Sequence, residues 1–257
     1  IGKNMKLFKP AVFAEKIAVE SDLKLKRITL HATSNQTGEE QIIFPNLAYQ
    51  SKGLEAIWDI ESRHFRLFSK KGFELTAWQE DTSQIESDTL PKQLHGSTGN
   101  KGLILAKSAD YDLKQEVLLL GGVEHVSIGP AMIYPFKGIF GIQKDGKFKP
   151  FSQAKAVLDA VNERHVISNL LVTDANSEYF KGEGDYLLPR ASGDSVAIKF
   201  KSFEFVPPEK GTGTTSIRAT AHFGEKNNLN LSTHQWFKGE VVLESDKEFA
   251  QFKGFVR

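Results

Sequence analysis

The 257-residue chain contains no cysteine. That excludes disulfides, thiolate nucleophiles and cysteine-ligated zinc, and it leaves the compartment open. No apolar run approaches the ~20 residues that a bilayer-spanning helix needs, so a soluble chain without a membrane span is expected. No signal-peptide pattern is visible, and the start at Ile1 rather than Met fits a cleaved or trimmed chain. An excess of one charge is also missing: 33 Lys and Arg stand against 32 Asp and Glu, for a net charge of +1. With no global field to attract nucleic acid or an anionic membrane, any such contact must be a local patch. The seven histidines show no HxH, HxxH or HExxH spacing, so no metal site is written locally. There is no Gly-x-Ser-x-Gly elbow for a hydrolase serine. No cofactor is expected.

Apolar residues make up 40 % of the chain and charged residues 25 %, which is ordinary globular composition with enough apolar surface for a real core. The pattern predicts a β-dominated α+β fold of antiparallel sheets and meanders, with two or three short helices. Residues 23–32, 41–44, 54–60, 64–68, 73–78, 102–107, 113–120, 123–128, 166–173, 196–200, 215–223 and 236–243 read as strands. The run Val117-Leu118-Leu119-Leu120 does not alternate, which predicts burial on both faces. A phase slip after Phe200 predicts a bulge at Lys201-Ser202. Three helices are expected, at about 10–20, 152–162 and 246–252. The central one has Ser152 as its cap and Ala154, Val157, Leu158 and Val161 on one face. Ser245-x-x-Glu248 has the form of a capping box for the last. Asp145-Gly146, between short alternating runs, signals a tight hairpin.

The chain is expected to form a single compact unit over 1–257. A weak self-match at an offset of 140 suggests two related α+β halves meeting near 130: Phe8-Lys9-Pro10 returns as Phe148-Lys149-Pro150. Chance similarity of two amphipathic segments explains it equally well. Residues 79–100 form a long polar loop of the kind that binds or stays irregular. It holds His95 and leads into a Gly- and Lys-rich run that lacks phosphate-loop spacing. Lys-Gly dipeptides recur eight times, at Lys52, Lys71, Lys101, Lys137, Lys181, Lys210, Lys238 and Lys253, and read as soluble turns.

Chemistry-bearing groupings are few. Asp110, Asp112 and Lys114 offer an acid-x-Lys triplet of the kind that holds Mg²⁺ in nucleases, or else a solvated strand face. Glu183 and Asp185 offer a pair of carboxylates. The segment from Arg63 to Phe73 interleaves aromatics with cations, as single-strand nucleic-acid platforms do; the alternative is a core strand with a cationic face. Its candidate contacts are Arg63, Phe65, Arg66, Lys70 and Lys71. A second basic cluster, Lys137, Lys144, Lys147, Lys149 and Lys155, surrounds the Asp145 hairpin and is opposed in sequence only by Asp145 and Asp159.

The sequence therefore favours a non-enzymatic binding or assembly protein, a subunit of a larger complex or virion. It would contact nucleic acid or another polyanion through a local basic patch and meet protein partners in the assembly. A metal-dependent nucleic-acid-processing enzyme and a β-sandwich carbohydrate-active enzyme stand as alternatives.

Overall fold

A computed structural model describes residues 11–15, 17–32, 41–52, 55–78, 103–190, 193–208, 214–225, 227–232 and 234–257. The polar stretch 79–100, with His95, lies outside the described residues, as do the first Phe-Lys-Pro and the Lys-Gly pairs at 101 and 210. The described residues form antiparallel strands joined by turns, three of them single 3₁₀ turns. None is α-helical, and no helix among them is long and apolar enough to cross a membrane.

The chain divides into two compact units, one reaching to Glu124 and including Lys137–Lys149, the other made of His125–Phe136 and Pro150–Arg257. The first holds β1 (Phe13–Glu15), β2 (Ile17–Asp22), β3 (Arg27–Ala32), β4 (Gln41–Phe44), β5 (Tyr49–Lys52), β6 (Glu55–Asp59), β7 (His64–Ala77), β8 (Ile104–Asp112) and β9 (Val117–Gly121). The chain then gives β10 (Val126–Ile128) and β11 (Ala131–Tyr134) to the second unit and returns to the first with β12 (Phe140–Ile142). The second unit continues with β13 (Phe151–Asp159), β14 (Arg164–Ala175), β15 (Phe180–Pro189), β16 (Ser195–Phe200), β17 (Phe203–Val206), β18 (Ser216–Phe223), β19 (Leu229–Ser232), β20 (Gln235–Glu244) and β21 (Gln251–Val256).

In the first unit the strands pair in the order β2-β3-β6-β7-β8-β9-β12. The β7–β8 register shifts between Phe68 and Phe73, and the far half of β7 pairs with β5, which continues to β4 and β1. One long strand thus serves two sheet segments around one core. At its centre Phe44 sets its ring edge-on to Phe65 at 6.1 Å and to Tyr111 at 5.4 Å, the geometry aromatic quadrupoles prefer. Burial, reinforced by Glu116 and Asp112, pushes the Tyr111 phenol up to about 12.

In the second unit one run is β10-β11-β13-β14-β15-β16 and another is β17-β18-β20-β19, with β21 paired to β20. Phe180 packs against Phe203 at 5.2 Å and Phe205 at 5.3 Å. The phase slip at Lys201-Ser202 is not a bulge. It is a corner where the chain leaves β16 for β17 in another sheet, so each strand sets its own alternation.

All three expected helices are replaced by strands. The segment 10–20 contributes β1 and β2, where Ile17, Val19 and Ser21 alternate in register with β3. The segment 152–162 is β13 and a turn: Ala154, Ala156 and Leu158 alternate inward, while Val161 is 91 % exposed. The helical spacing of Ala154, Val157, Leu158 and Val161 mixed inward residues with a turn residue. In the segment 246–252, Ser245 caps nothing; its hydroxyl accepts the Ile217 N–H at 2.8 Å across the sheet. The chain then turns and enters β21.

The recurring local device is a hairpin turn opened by aspartate. Asp22, Asp59, Asp112 and Asp159 each end a strand, and Arg27, His64, Val117 and Arg164 pair with them across a four-residue loop. The carboxylate accepts N–H groups two or three residues ahead: Lys24 and Leu25, Ser62, Lys114 and Gln115, Val161 and Asn162 respectively. The last loop residue is left-handed each time: Lys26, Arg63, Glu116 and Glu163, with φ of 51°, 59°, 55° and 54°. A left-handed conformation costs a non-glycine residue roughly 1–2 kcal/mol, and the carboxylate–amide bonds offset it. Lys-Gly pairs divide: Lys137-Gly138 lies in a turn with Gly138 at φ 67°, while another is set inside a strand. At Gly182, inside β15, a Cβ would fall 2.0 Å from Leu171 O, so close strand approach, not a turn, requires glycine there.

Candidate polyanion-binding site

Two cationic regions of the first unit are candidates, and the register places them on one sheet face. Across β3, β6, β7, β8 and β9 the outward rows are Arg27–Asp59–His64–Asp112–Val117 and Thr29–Ile57–Arg66–Asp110–Leu119. The second row continues to Gly141 of β12, whose carbonyl accepts the Lys149 N–H at 2.8 Å.

In these two rows Arg27, His64 and Arg66 each have a carboxylate beside them. Arg66 Nε lies 3.5 Å from Asp110 Oδ2, and His64 Nδ1 lies 2.6 Å from Asp110 Oδ1. Arg27 Nε lies 3.9 Å from Asp59 Oδ2. Asp59 and Asp112 are held below the usual carboxylate range, chiefly by the Ser62 and Gln115 backbone N–H groups of their own turns. Phe65 points the other way, 3 % exposed in the core, so it offers no ring for a base to stack on. Arg63 is exposed at the left-handed position of the Asp59 turn. Lys71 is exposed beside an open hollow of about 610 Å³ that Lys107, Glu74 and Glu124 also line. The Lys70 side chain falls outside the described residues.

The lysine hairpin differs. Gln143 N–H donates to Lys147 O at 2.8 Å and Lys147 N–H to Lys144 O at 3.3 Å. Asp145 and Gly146 between them have φ of 59° and 70°, the mirror-image turn that matches strand twist. Phe148 turns inward against Phe140, ring centres 4.8 Å apart. Alternation therefore puts Lys147 and Lys149 on the outer face. The Lys149 stem lies so close over Gly141 that a Cβ there would fall 2.9 Å from Lys149 Cβ, with Leu119 Cδ2 at 3.4 Å. The aliphatic stem covers apolar surface while the ammonium stays in water. Leu119 is accordingly 43 % exposed; its neighbours Leu118 and Leu120 are buried, so this strand alternates after all. Lys144, Lys147 and Lys149 are exposed, and no ion pair is formed by any of them among the described residues. Asp145 is the acid nearest in sequence. Lys137, also exposed, sits before β12, left-handed at φ 54°.

The other groupings are spent on structure. Asp110 holds His64 and Arg66, and Asp112 anchors its turn. Glu183 pairs with Lys199 at 2.7 Å, and Asp185 accepts from Asn169 at 3.0 Å. Among the described residues no three His, Asp or Glu side chains are arranged to hold a metal ion. The aspartate turns and the Asp110 contacts are the features missed in sequence. An aspartate at a strand end with a charged residue four positions on, repeated at 22, 59, 112 and 159, was the available signal. Comparison with protein families, curated proteins and solved structures finds no match.

Proposed function

We propose that the chain is a binding module that docks a polyanion, nucleic acid foremost, on the Lys144–Lys149 hairpin. One observation carries this reading: Lys144, Lys147 and Lys149 share one hairpin, are exposed and form no ion pair among the described residues, while Arg27, His64 and Arg66 stand beside carboxylates. Exposed ammonium groups without an ion pair keep their charge available for phosphate or sulfate, and the Lys149 stem, already laid over Gly141, loses little freedom on binding. Lys137 extends the basic stretch along the chain. With net charge +1, attraction is local, so binding depends steeply on salt and little on sequence.

Heparin and single-stranded oligonucleotide binding test this. Log affinity should fall with log salt at a slope of roughly 2 to 3, as about three phosphate contacts require. Passage through heparin unretained at about 50 mM salt overturns the proposal.

A further inference from the structure

The second unit carries an unused sheet edge. Strand β21 pairs with β20, and among the described residues no strand pairs with its other edge. Trp236 and Arg257 exchange both backbone hydrogen bonds at 2.9 Å. Antiparallel ladders alternate, so Phe255, Lys253 and Gln251 likewise bond to β20. The N–H and C=O groups of Phe252, Gly254 and Val256 therefore face outward. Apolar side chains are open here: Phe252 packs edge-on against buried Phe237 at 5.2 Å yet stays 40 % exposed, and Val256 is 54 % exposed. A further strand would cover both and satisfy the free amides.

We propose that this strand is β21 of a second copy, running antiparallel across a two-fold axis at Gly254. Its own sequence, Gln-Phe-Lys-Gly-Phe-Val-Arg, argues for that occupant. Centred on Gly254, the three outward-facing residues of each copy form hydrogen-bonded pairs: Phe252 with Val256, Gly254 with Gly254, and Val256 with Phe252. Lys253 then lies opposite Phe255, the ring over which its own Arg257 guanidinium sits 5.5 Å from the centroid, and Gln251 opposite Arg257. The neighbouring symmetric registers are repelled. Centring on Lys253 sets two lysines opposite each other, and centring on Phe255 sets Lys253 opposite Arg257; like charges directly opposed destabilise a ladder. The lysine that would guard a free edge thus also selects the register.

Sedimentation of the full chain should show a dimer whose fraction rises up to about 100 µM. Val256→Pro removes an outward N–H from each copy and spares the β20 bonds, so it should weaken the dimer at least about tenfold. Because the protein has no cysteine, the double variant Gln251→Cys, Arg257→Cys reads the register directly. The two positions lie ~20 Å apart along one strand but about 4.5 Å apart across the proposed pair, within disulfide reach. Oxidation should give a covalent dimer, with no gain from Gln251→Cys alone. A monomer at all concentrations, a dimer indifferent to Val256→Pro, or a double variant that stays uncrosslinked each overturns the proposal. So does an edge that captures foreign strand peptides while the chain stays monomeric.

Discussion

The β7 strand and the Lys144–Lys149 hairpin look alike in sequence, each a short stretch where basic and aromatic residues interleave. In the structure they are opposites. On β7 the aromatic Phe65 is core, and Arg66 faces Asp110 of β8, a residue far along the chain. On the hairpin Phe148 is core too, but Lys147 and Lys149 face outward and form no ion pair among the described residues. The sheet register, not the local density of lysine and arginine, decides which cations remain available.

The largest effect that sharpens this contrast comes from Phe65→Ala. Loss of a buried ring at the Phe44–Tyr111 cluster should cost about 3–5 kcal/mol in denaturant unfolding. Where the variant remains folded, heparin retention should match wild type; a specific loss of binding would restore the stacking platform. Next is the triple change of Lys144, Lys147 and Lys149 to Ala. It should reduce the salt slope by roughly 2 to 3 and leave the thermal midpoint nearly unchanged. An unaltered slope would break the contrast.

A smaller effect, opposite in sign, is expected for Asp110→Asn. Removing the carboxylate that answers Arg66 and His64 should move heparin elution to higher salt, since the β7 face then becomes cationic. Elution at the wild-type position would mean pairing is not what silences that face. Smallest is the acid limb of stability. Asp59 and Asp112 are depressed by the amides of their turns; at Asp159 partial desolvation opposes, and Asn162 and neighbouring amides outweigh it. Folded values below the unfolded ~3.9 mean these groups stabilise the protein above that pH. Their contribution is lost as pH falls through the folded values. Replacing all three with Asn should flatten the loss of thermal stability below about pH 4, and an unchanged slope would deny the turns that role.

Much of the strand inventory was legible, because alternation over four to eight residues is a local signal and a half-buried sheet requires it. The Asp145-Gly146 turn was legible for the same reason: positive φ at two adjacent positions selects its residues. The helices were not. Ala154, Val157, Leu158 and Val161 satisfy a helical period only when Val161, a turn residue, is counted with the core. The Ser245 box failed because its hydroxyl had a better use at Ile217, on another strand. In the candidate site, the lysines of the hairpin could be named from sequence. The neutralisation of Arg66 could not, since Asp110 is its neighbour only through β7–β8 pairing.

By itself the sequence determined that this is a strand-rich, cysteine-free chain with balanced charge and a lysine-flanked hairpin, since composition, alternation and turn chemistry act between near neighbours. Only the tertiary structure decided which residues stand opposite one another. Cross-strand register brought Asp110 to Arg66 and, among the described residues, left Lys147 and Lys149 without ion pairs and turned the amides of Phe252, Gly254 and Val256 toward an edge no strand pairs with. A ladder fixes those partners only once strands distant in sequence have met.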